Sequence, residues 1–231
     1  MAETKEIELG VVLPSISLIL PVFNGEDYLM QCLDSIAKQC YTNLELIIIN
    51  DGSTDNSLQI LENYPLKKTL ITQENKGVYT ARNLGISLAT SEFISFFDAD
   101  DIMADGNLIA LSSYLVNHPN SLIAKGKMQR FSLKNEVWIN SGEPHVPDFF
   151  LSVALFRKEV FQKVGLFAEE MRLAADADWY LRLQELGIEV AILGHLAVYY
   201  RMHPKNISNF TEEAKKARLE VVRRKLQRSK L

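Results

Sequence analysis

The segment Leu44-Glu-Leu-Ile-Ile-Ile-Asn-Asp-Gly-Ser-Thr-Asp55 joins an apolar run to a polar turn. Residues Leu44 to Asn50 have the length and the β-branched content of a buried strand. The residues after Gly52 are typical of a turn that leads into a helix, with Ser53 or Thr54 as its N-cap. The segment therefore predicts a strand followed by a helix, which is the repeating unit of an α/β domain.

The same pattern recurs on both sides of this segment. Strands are predicted at Ile16 to Val22 and Glu92 to Phe97, with a weaker one at Thr69 to Thr72. Apolar residues at helical spacing fill the intervals, namely Asp27 to Lys38, Thr54 to Asn63 and Val78 to Ala89. Because continuous apolar strands suit a sheet covered on both faces, we predict a doubly wound, mostly parallel sheet resembling a Rossmann fold.

The second half lacks the regular alternation of strands and helices seen in the first. It predicts a smaller unit of mixed elements that shares the same core. Its predicted elements are a hairpin (Leu122 to Phe131 with Val137 to Asn140), helices at Lys158 to Val164 and Asp176 to Leu186, and strands at Ile188 to Leu193 and Leu196 to Arg201. We predict four parts: an N-terminal extension (1–14), a nucleotide-binding half (about 15–103), an acceptor half (about 104–208) and a basic C-terminal helix (209–231).

Composition narrows the function classes. The 231 residues carry a net charge of −4 and a pI near 5.7, which argues against general nucleic-acid binding. Only two cysteines occur, and neither a signal peptide nor an apolar run long enough to cross a bilayer is evident. We expect a cytoplasmic protein, with peripheral contact at the inner face of a membrane as an option.

The polar residues at the strand ends are the candidate site, because open α/β sheets bind ligands beyond the carboxyl ends of their strands. Asp98-Ala-Asp100-Asp101 follows a buried strand, and such carboxylates suit Mn²⁺ or Mg²⁺ bridging to a diphosphate. The alternative is an acidic loop in which one Asp caps a helix that starts near Asp105. Asp51 is either a turn residue or an acceptor for a ring N–H of uracil.

Four segments in order closely resemble family 2 glycosyltransferases: Ser17-Leu-Ile-Leu-Pro-Val-Phe-Asn-Gly-Glu26, Glu45 to Asp55, Asn75-Lys-Gly-Val-Tyr-Thr-Ala-Arg-Asn-Leu-Gly85 and Phe97 to Asp101. The likeness continues through Asp176-Ala-Asp-Trp-Tyr and Tyr200-Arg-Met-His203, and covers about residues 15 to 208. The resemblance implies a GT-A fold and inverting transfer from a nucleotide-diphosphate sugar, with UDP favoured. The acceptor would be a saccharide or a lipid-linked saccharide, as in envelope polysaccharide synthesis.

The resemblance also implies residue roles. The nucleotide would be bound by Pro21, Phe23, Asp51, Arg82 and Asp98. The metal would be held by Asp100, the likelier direct ligand of the Asp98-x-Asp100 motif, and by His203. Asp176 would be the general base, ionised at pH 7 if its pKa is the ordinary value of about 3.9.

Two departures from the family pattern bear on the acceptor and the nucleobase. Ala175 stands where the family often has Glu, and Phe23 stands where Tyr is common. The Gln-x-x-Arg-Trp motif of processive synthases is absent, which favours a single-transfer enzyme.

Other interpretations stay open. The chain could be a sugar-nucleotide binding module without activity, or a haloacid-dehalogenase-like phosphatase with Asp98 as nucleophile. Trp179 is expected in the core, with an acceptor platform as the alternative. The segment Thr211 to Leu231 has eight Lys and Arg against three Glu, so it is either a solvated helix face or a surface attracted to anionic lipid.

Overall fold

The structure is a computed structural model that describes residues 13–134, 137–206 and 212–229. Most of the predicted N-terminal extension lies outside the described residues. The strands are β1 (Ile16–Val22), β2 (Leu44–Asn50), β3 (Thr69–Thr72), β4 (Phe93–Phe96), β5 (Ile102–Met103), β6 (Ile123–Lys134), β7 (Val137–His145), β8 (Ala154–Arg157) and β9 (Ala191–Arg201). The helices are α1 (Leu29–Ala37), α2 (Ser57–Asn63), α3 (Val78–Leu88), α4 (Asn107–Asn117), α5 (Glu159–Val164), α6 (Ala175–Glu185) and α7 (Glu212–Arg228).

One mixed sheet runs through the described chain in the order β3-β2-β1-β4-β8-β6-β9-β5, and β7 pairs with β6. The strands of the first half, β3-β2-β1-β4, are all parallel. Strand β8 is antiparallel to both β4 and β6, and so begins the mixed half of the sheet. This confirms the predicted α/β architecture, with a parallel first half and a mixed second half.

Helices cover both faces of the sheet, and each face has its own core. Every residue of β1 is buried, with Leu18 and Leu20 in one apolar cluster and Ile19 in the other. Successive side chains of a strand point to opposite faces, so a strand buried on both sides is mostly apolar. Helix α3 lies so close to β1 that a Cβ on Gly85 would come within 2.4 Å of Ile19.

The predicted N-caps of α2 are wrong, because the helix begins at Ser57. Ser53 and Thr54 instead join the loop after β1: Asn24 N–H donates to Ser53 Oγ at 3.0 Å, and Thr54 N–H donates to Asn24 Oδ1 at 2.8 Å. These cross-loop hydrogen bonds fix the two loops against each other at the carboxyl end of the sheet.

Four elements after β4 differ from the sequence prediction. The two strands expected near its end are one strand, β9, whose pairing with β6 shifts register between Lys125 and Met128. The short strands β5 and β8 were not predicted. Helix α4 begins at Asn107 after a left-handed Gly106, without a side-chain cap, so the capping role considered for an Asp near Asp105 is wrong.

The C-terminal basic helix is confirmed as α7, which packs against α6. Across the described ranges, none of the helices combines the length and apolar content needed to span a bilayer. The division of the chain at residues 14, 103 and 208 stays a prediction.

Candidate active site

The candidate site lies where the carboxyl ends of β1, β2 and β4 meet the end of β9. The parallel strands deliver Pro21, Asp51 and Asp98 to one edge of the sheet. Strand β9 is parallel to β6 and ends at Arg201, which brings His203 to the same edge. The topology therefore joins residues from both halves of the chain in one region, as expected for a ligand site in an open α/β sheet.

Asp51 is buried, and its carboxylate organises the loop before α3. Oδ1 accepts hydrogen bonds from Gln73 Nε2 (2.7 Å) and from the Lys76 backbone N–H (2.9 Å), while Oδ2 accepts one from the Gly77 N–H (2.8 Å). Each carboxylate oxygen has two lone pairs, so Oδ2 retains acceptor capacity for a ring N–H. The predicted uracil contact is therefore compatible with the structure, and a structural role for Asp51 accompanies it.

The two residues predicted to border the nucleobase differ in exposure. Pro21 is buried within β1, where it faces its partner Ile49. Phe23 follows β1 and leaves 51% of its surface exposed. The exposed Phe23 ring, just after the carboxyl end of β1, offers a stacking face for a base. Pro21 lies within the strand and can contribute only to its buried end.

Asp98 is held by two side chains from different elements. Arg82 Nη2 on α3 donates to Asp98 Oδ1 at 2.6 Å, and Ser152 Oγ donates to Oδ2 at 3.0 Å. Arg82 is buried, and its Nε has no partner among the described residues. A buried guanidinium with one unused donor, next to the predicted diphosphate site, suits an additional anionic acceptor.

Asp100 faces His203, with Oδ2 and Nε2 3.0 Å apart. The imidazole also stacks on Tyr28 at a centroid distance of 4.4 Å, and Arg201 Nε donates to the Asp100 backbone carbonyl at 2.8 Å. The two predicted metal-binding residues are therefore brought together, and each has a further contact that holds it.

The fit of a divalent cation to these residues is partial. No cluster of three His, Cys, Asp or Glu side chains able to hold a metal occurs within residues 13–134, 137–206 and 212–229. Asp100 and His203 supply one oxygen and one nitrogen, and His203 Nδ1 is buried without a partner there. Mg²⁺ commonly takes one or two protein carboxylates together with substrate phosphates, so this pair fits a site that the diphosphate completes.

Asp101 plays a different part from its neighbours. It is fully buried, and its Oδ1 accepts a hydrogen bond from the Arg201 N–H at 2.9 Å. Burial, and then the charges of Asp100 and Asp98, raise the pKa of the Asp101 carboxyl. Asp101 therefore fixes β9 to the acidic loop and does not face the cleft.

Asp176, the predicted base, lies in the first turn of α6. Its Oδ1 accepts hydrogen bonds from Tyr79 Oη (3.1 Å) and from the Ala177 N–H (2.9 Å). Burial raises the pKa of Asp176 above its ordinary value, while Arg82 and the two donors act in the opposite direction. The sequence-based expectation of an ordinary pKa is therefore wrong, because the carboxylate is partly removed from water.

Arg82 links the two ends of the site. Its guanidinium bonds to Asp98 and lies 5.5 Å from the centroid of the Tyr79 ring, whose hydroxyl in turn bonds to Asp176. The acidic loop after β4 and the carboxylate on α6 are thus neighbours across one arginine and one tyrosine.

Two of these contact residues were not predicted. Tyr79 lies in the matched segment Asn75 to Gly85, three positions before Arg82, so helical spacing places both on one face. Ser152 lies in a loop of the second half with no pattern that marks it. Trp179, by contrast, is confirmed in the core: it is fully buried among Phe156, Phe161 and Phe167, which excludes an acceptor platform.

Comparison with protein families decides the class of protein. The model of the family described as "Glycosyl transferase family 2" matches residues 17–167. The chain belongs to glycosyltransferase family 2. An uncharacterized glycosyltransferase EpsJ of Bacillus subtilis (strain 168) is 27% identical over 219 residues, which cover 85% of this chain and 64% of that protein. An uncharacterized glycosyltransferase of Haemophilus influenzae is 43% identical over 111 residues, which cover 46% of this chain and 44% of the relative.

Solved structures agree in fold with this family 2 glycosyltransferase. The crystal structure of S. aureus TarS 1-349 in complex with UDP-GlcNAc has a TM-score of 0.70 at 20% identity, over 90% of this chain and 65% of that one. The complex of the same fragment with UDP has a TM-score of 0.66 at 23% identity, over 91% of this chain and 71% of that one. The chain spans less than two thirds of the length of the two relatives above.

Proposed function

We propose that this family 2 glycosyltransferase moves a sugar from a UDP-sugar to a hydroxyl group of a saccharide acceptor, with inversion at the anomeric carbon. The observation that carries the proposal is the chain of contacts from Asp98 through Arg82 and Tyr79 to Asp176. It places a carboxylate of raised pKa beside an arginine and an acidic loop suited to a diphosphate. A base and a leaving-group site in one cleft are what a single displacement requires.

Asp176 is proposed as the base. It removes the proton of the acceptor hydroxyl while that oxygen attacks the anomeric carbon, and the bond to the diphosphate breaks on the opposite side. The Tyr79 hydroxyl and the Ala177 N–H orient the carboxylate. A raised pKa makes the carboxylate a stronger proton acceptor, and the group still ionises as the pH rises above that value.

The leaving diphosphate is proposed to lie between Arg82 and the Asp100–His203 pair. Bound Mn²⁺ or Mg²⁺ would supply charge stabilisation on the departing phosphate. The protein groups that would hold the ion are Asp100 Oδ2 and His203 Nε2. The unpartnered Nε–H of Arg82 is available to a phosphate oxygen, so the guanidinium would serve both Asp98 and the nucleotide.

The fold neighbours support a donor class, and the family resemblance supports an acceptor class. The TarS structures contain UDP and UDP-GlcNAc, which makes a UDP-linked hexose or N-acetylhexosamine the first donor class to test. We propose a saccharide acceptor, free or lipid-linked, of the kind used in cell-envelope polysaccharide synthesis, and a reaction on the cytoplasmic side.

Calorimetric titration of the chain with UDP, GDP and dTDP, each with and without Mn²⁺, tests the donor site. We expect UDP to bind in a metal-dependent manner, and Asp100→Ala to abolish the metal dependence. Absence of nucleotide binding under every condition would refute the proposed donor site.

Hydrolysis of a panel of UDP-sugars then separates an enzyme from a binding module. We expect slow release of UDP from one donor, and Asp176→Asn should retain donor binding while turnover falls by about 10²- to 10⁴-fold. Binding without turnover for any donor or acceptor would instead support the sugar-nucleotide binding module.

A further inference from the structure

Helix α7 uses one face to bind the rest of the domain. Ala214 and Val221 are buried, and Val221 belongs to the apolar cluster that contains α6. Arg228 donates to Asp178 at 2.8 Å and to Glu185 at 2.8 Å, and Arg224 donates to Glu170 at 2.8 Å. Part of the positive charge of this helix therefore has internal partners, and the inward face is accounted for by α6 and the preceding loop.

The opposite face of α7 presents a stripe of apolar side chains. Leu219, Val222 and Leu226 leave 70%, 53% and 58% of their surfaces exposed. Their spacing of three and four residues places them on one side of the helix, one above the other. We call these three residues the apolar stripe. Exposed leucines in register along a helix are not required by the fold, because the helix is already anchored by its other face.

Cations border the apolar stripe on both sides. At 100° per residue, Lys216 and Arg223 fall on one side of the stripe and Arg218 and Lys225 on the other, and all four are exposed. The acids of α7 are fewer: Glu212 and Glu213 are in its first turn, before the apolar stripe, and Glu220 is half-buried, bonded to Arg224 at 3.3 Å and 3.7 Å from Arg223. The outward surface is thus apolar along its centre and positive along its edges.

We propose that α7 docks this face on an anionic lipid surface, with the apolar stripe inserted among the acyl chains and the flanking cations at the headgroups. A helix with an apolar face and Lys or Arg at its borders has the design of an interfacial helix. Each Lys or Arg near an anionic surface adds about 1 kcal/mol of attraction, which corresponds to about fivefold in affinity. A second copy of the chain is a poorer partner, because face-to-face packing of two such helices would bring like charges together.

Docking through α7 has a geometric consequence for the domain. Helix α7 packs on α6, and the first turn of α6 carries Asp176. A membrane-bound α7 would hold the acceptor side of the cleft close to the lipid surface. That consequence rests on the proposed function, whereas the lipid contact itself does not, and it can be measured without donor or acceptor.

Vesicle flotation tests the contact with the full chain. The vesicles contain phosphatidylcholine alone or mixed with phosphatidylglycerol, at low and at high salt. We expect binding to the anionic vesicles only, and Leu219→Gln with Leu226→Gln should weaken it at least tenfold. The matched control replaces exposed leucines on other elements, Leu88→Gln with Leu133→Gln, and should bind as the parent does.

A second variant tests the electrostatic contribution to vesicle binding. Lys216→Gln with Lys225→Gln should weaken binding by about tenfold or more at low salt, and by less at high salt, because ions screen the attraction. An unchanged midpoint of urea denaturation in every variant serves as the check that the fold is intact. Three outcomes would overturn the proposal: no flotation of the parent chain at low salt, equal flotation of the stripe variant, or a parent dimer in sedimentation that the stripe variant loses.

Discussion

His203 Nε2 lies 3.0 Å from Asp100 Oδ2, although 103 residues separate the two in the chain. Strand β9 creates this proximity, because it ends beside the loop that follows β4. Tyr28 stacks on the imidazole and Arg201 binds the Asp100 carbonyl, so both members of the pair have fixed surroundings. The two side chains are thus held in one arrangement at the end of the sheet.

Replacement of His203 tests its role toward the metal. His203→Ala should reduce the Mn²⁺-dependent part of UDP binding by about tenfold or more, in the range seen when groups that tune a metal site are removed. Calorimetry with and without Mn²⁺ measures the effect. His118→Ala is the matched control, since His118 stacks on Tyr114 at the end of α4. Equal losses in both variants, or none in either, would assign His203 to structure alone.

If Asp176 is the base, as proposed, the acidic limb of the pH–rate profile reports its ionisation. The active form is the carboxylate, so turnover falls as the pH drops through the pKa of Asp176, which lies above the ordinary value. The Tyr79 hydroxyl stabilises the ionised form, and its removal raises that pKa further. Tyr79→Phe should therefore move the acidic limb of kcat/KM to higher pH.

Tyr180→Phe is the control for this profile. Tyr180 is a buried neighbour on α6 whose hydroxyl has no partner among the described residues. The acidic limb of kcat/KM in Tyr180→Phe should coincide with that of the parent enzyme. A shift to lower pH in Tyr79→Phe would contradict the assignment of Asp176 as the base.

The Arg82–Asp98 ion pair makes a testable contribution to stability. Both side chains are largely removed from water, and loss of one partner leaves a charge in a poorly solvated position. Arg82→Met should lower the free energy of unfolding by about 2 to 4 kcal/mol, somewhat less than for a fully buried pair. Urea denaturation measures it, and Arg82→Met with Asp98→Asn should recover part of the loss. Arg223→Met, at an exposed position of α7, should change stability little.

Much of the first half of the fold was predictable from the sequence. The run Ile16 to Val22 is apolar except for Ser17 because the strand is buried on both faces. Such a run can be recognised in the sequence without knowing which strands pair with it. Strand β5 spans only Ile102–Met103, too short to give a periodic signal. Strand β8 lies two residues before α5, so its apolar run merges with the helix in sequence.

The site was predictable in its residue types and less so in its contacts. A motif such as Asp98-x-Asp100 marks candidate ligands, and the resemblance supplied Asp176 and His203. The sequence does not reveal that Ser152 bonds to Asp98, since that contact depends on how a loop of the second half folds over β4. It also does not give the burial of Asp176, which sets the direction of its pKa shift.

Lys125 offers a stability test with a defined pH dependence. It is buried on β6, donates to the Asp148 carbonyl at 2.8 Å and lies 4.9 Å from the Tyr180 ring centroid. Burial lowers the pKa of Lys125 to about 8. The folded state therefore binds this proton less tightly than the unfolded state, whose pKa is about 10.4. The stability cost is full below about pH 8 and disappears as the pH rises toward the unfolded value.

Lys125→Met should accordingly stabilise the protein at pH 7 by about 1 to 3 kcal/mol, after allowance for the lost hydrogen bond. The difference from the parent should shrink between pH 8 and 10 in urea denaturation. Lys134→Met, at an exposed position of the same strand, is the control. A destabilised Lys125→Met at pH 7 would mean that the bond to Asp148 outweighs the burial of the charge.

The position of β9 late in the chain affects how the protein acquires its site during synthesis. Asp100 and Asp101 leave the ribosome about a hundred residues before their partners Arg201, at the end of β9, and His203, which follows it. Contacts between residues so distant in sequence form slowly, because a long loop must close first. The acidic loop of the nascent chain therefore stays negatively charged and without these partners until the last strand of the described sheet has been translated.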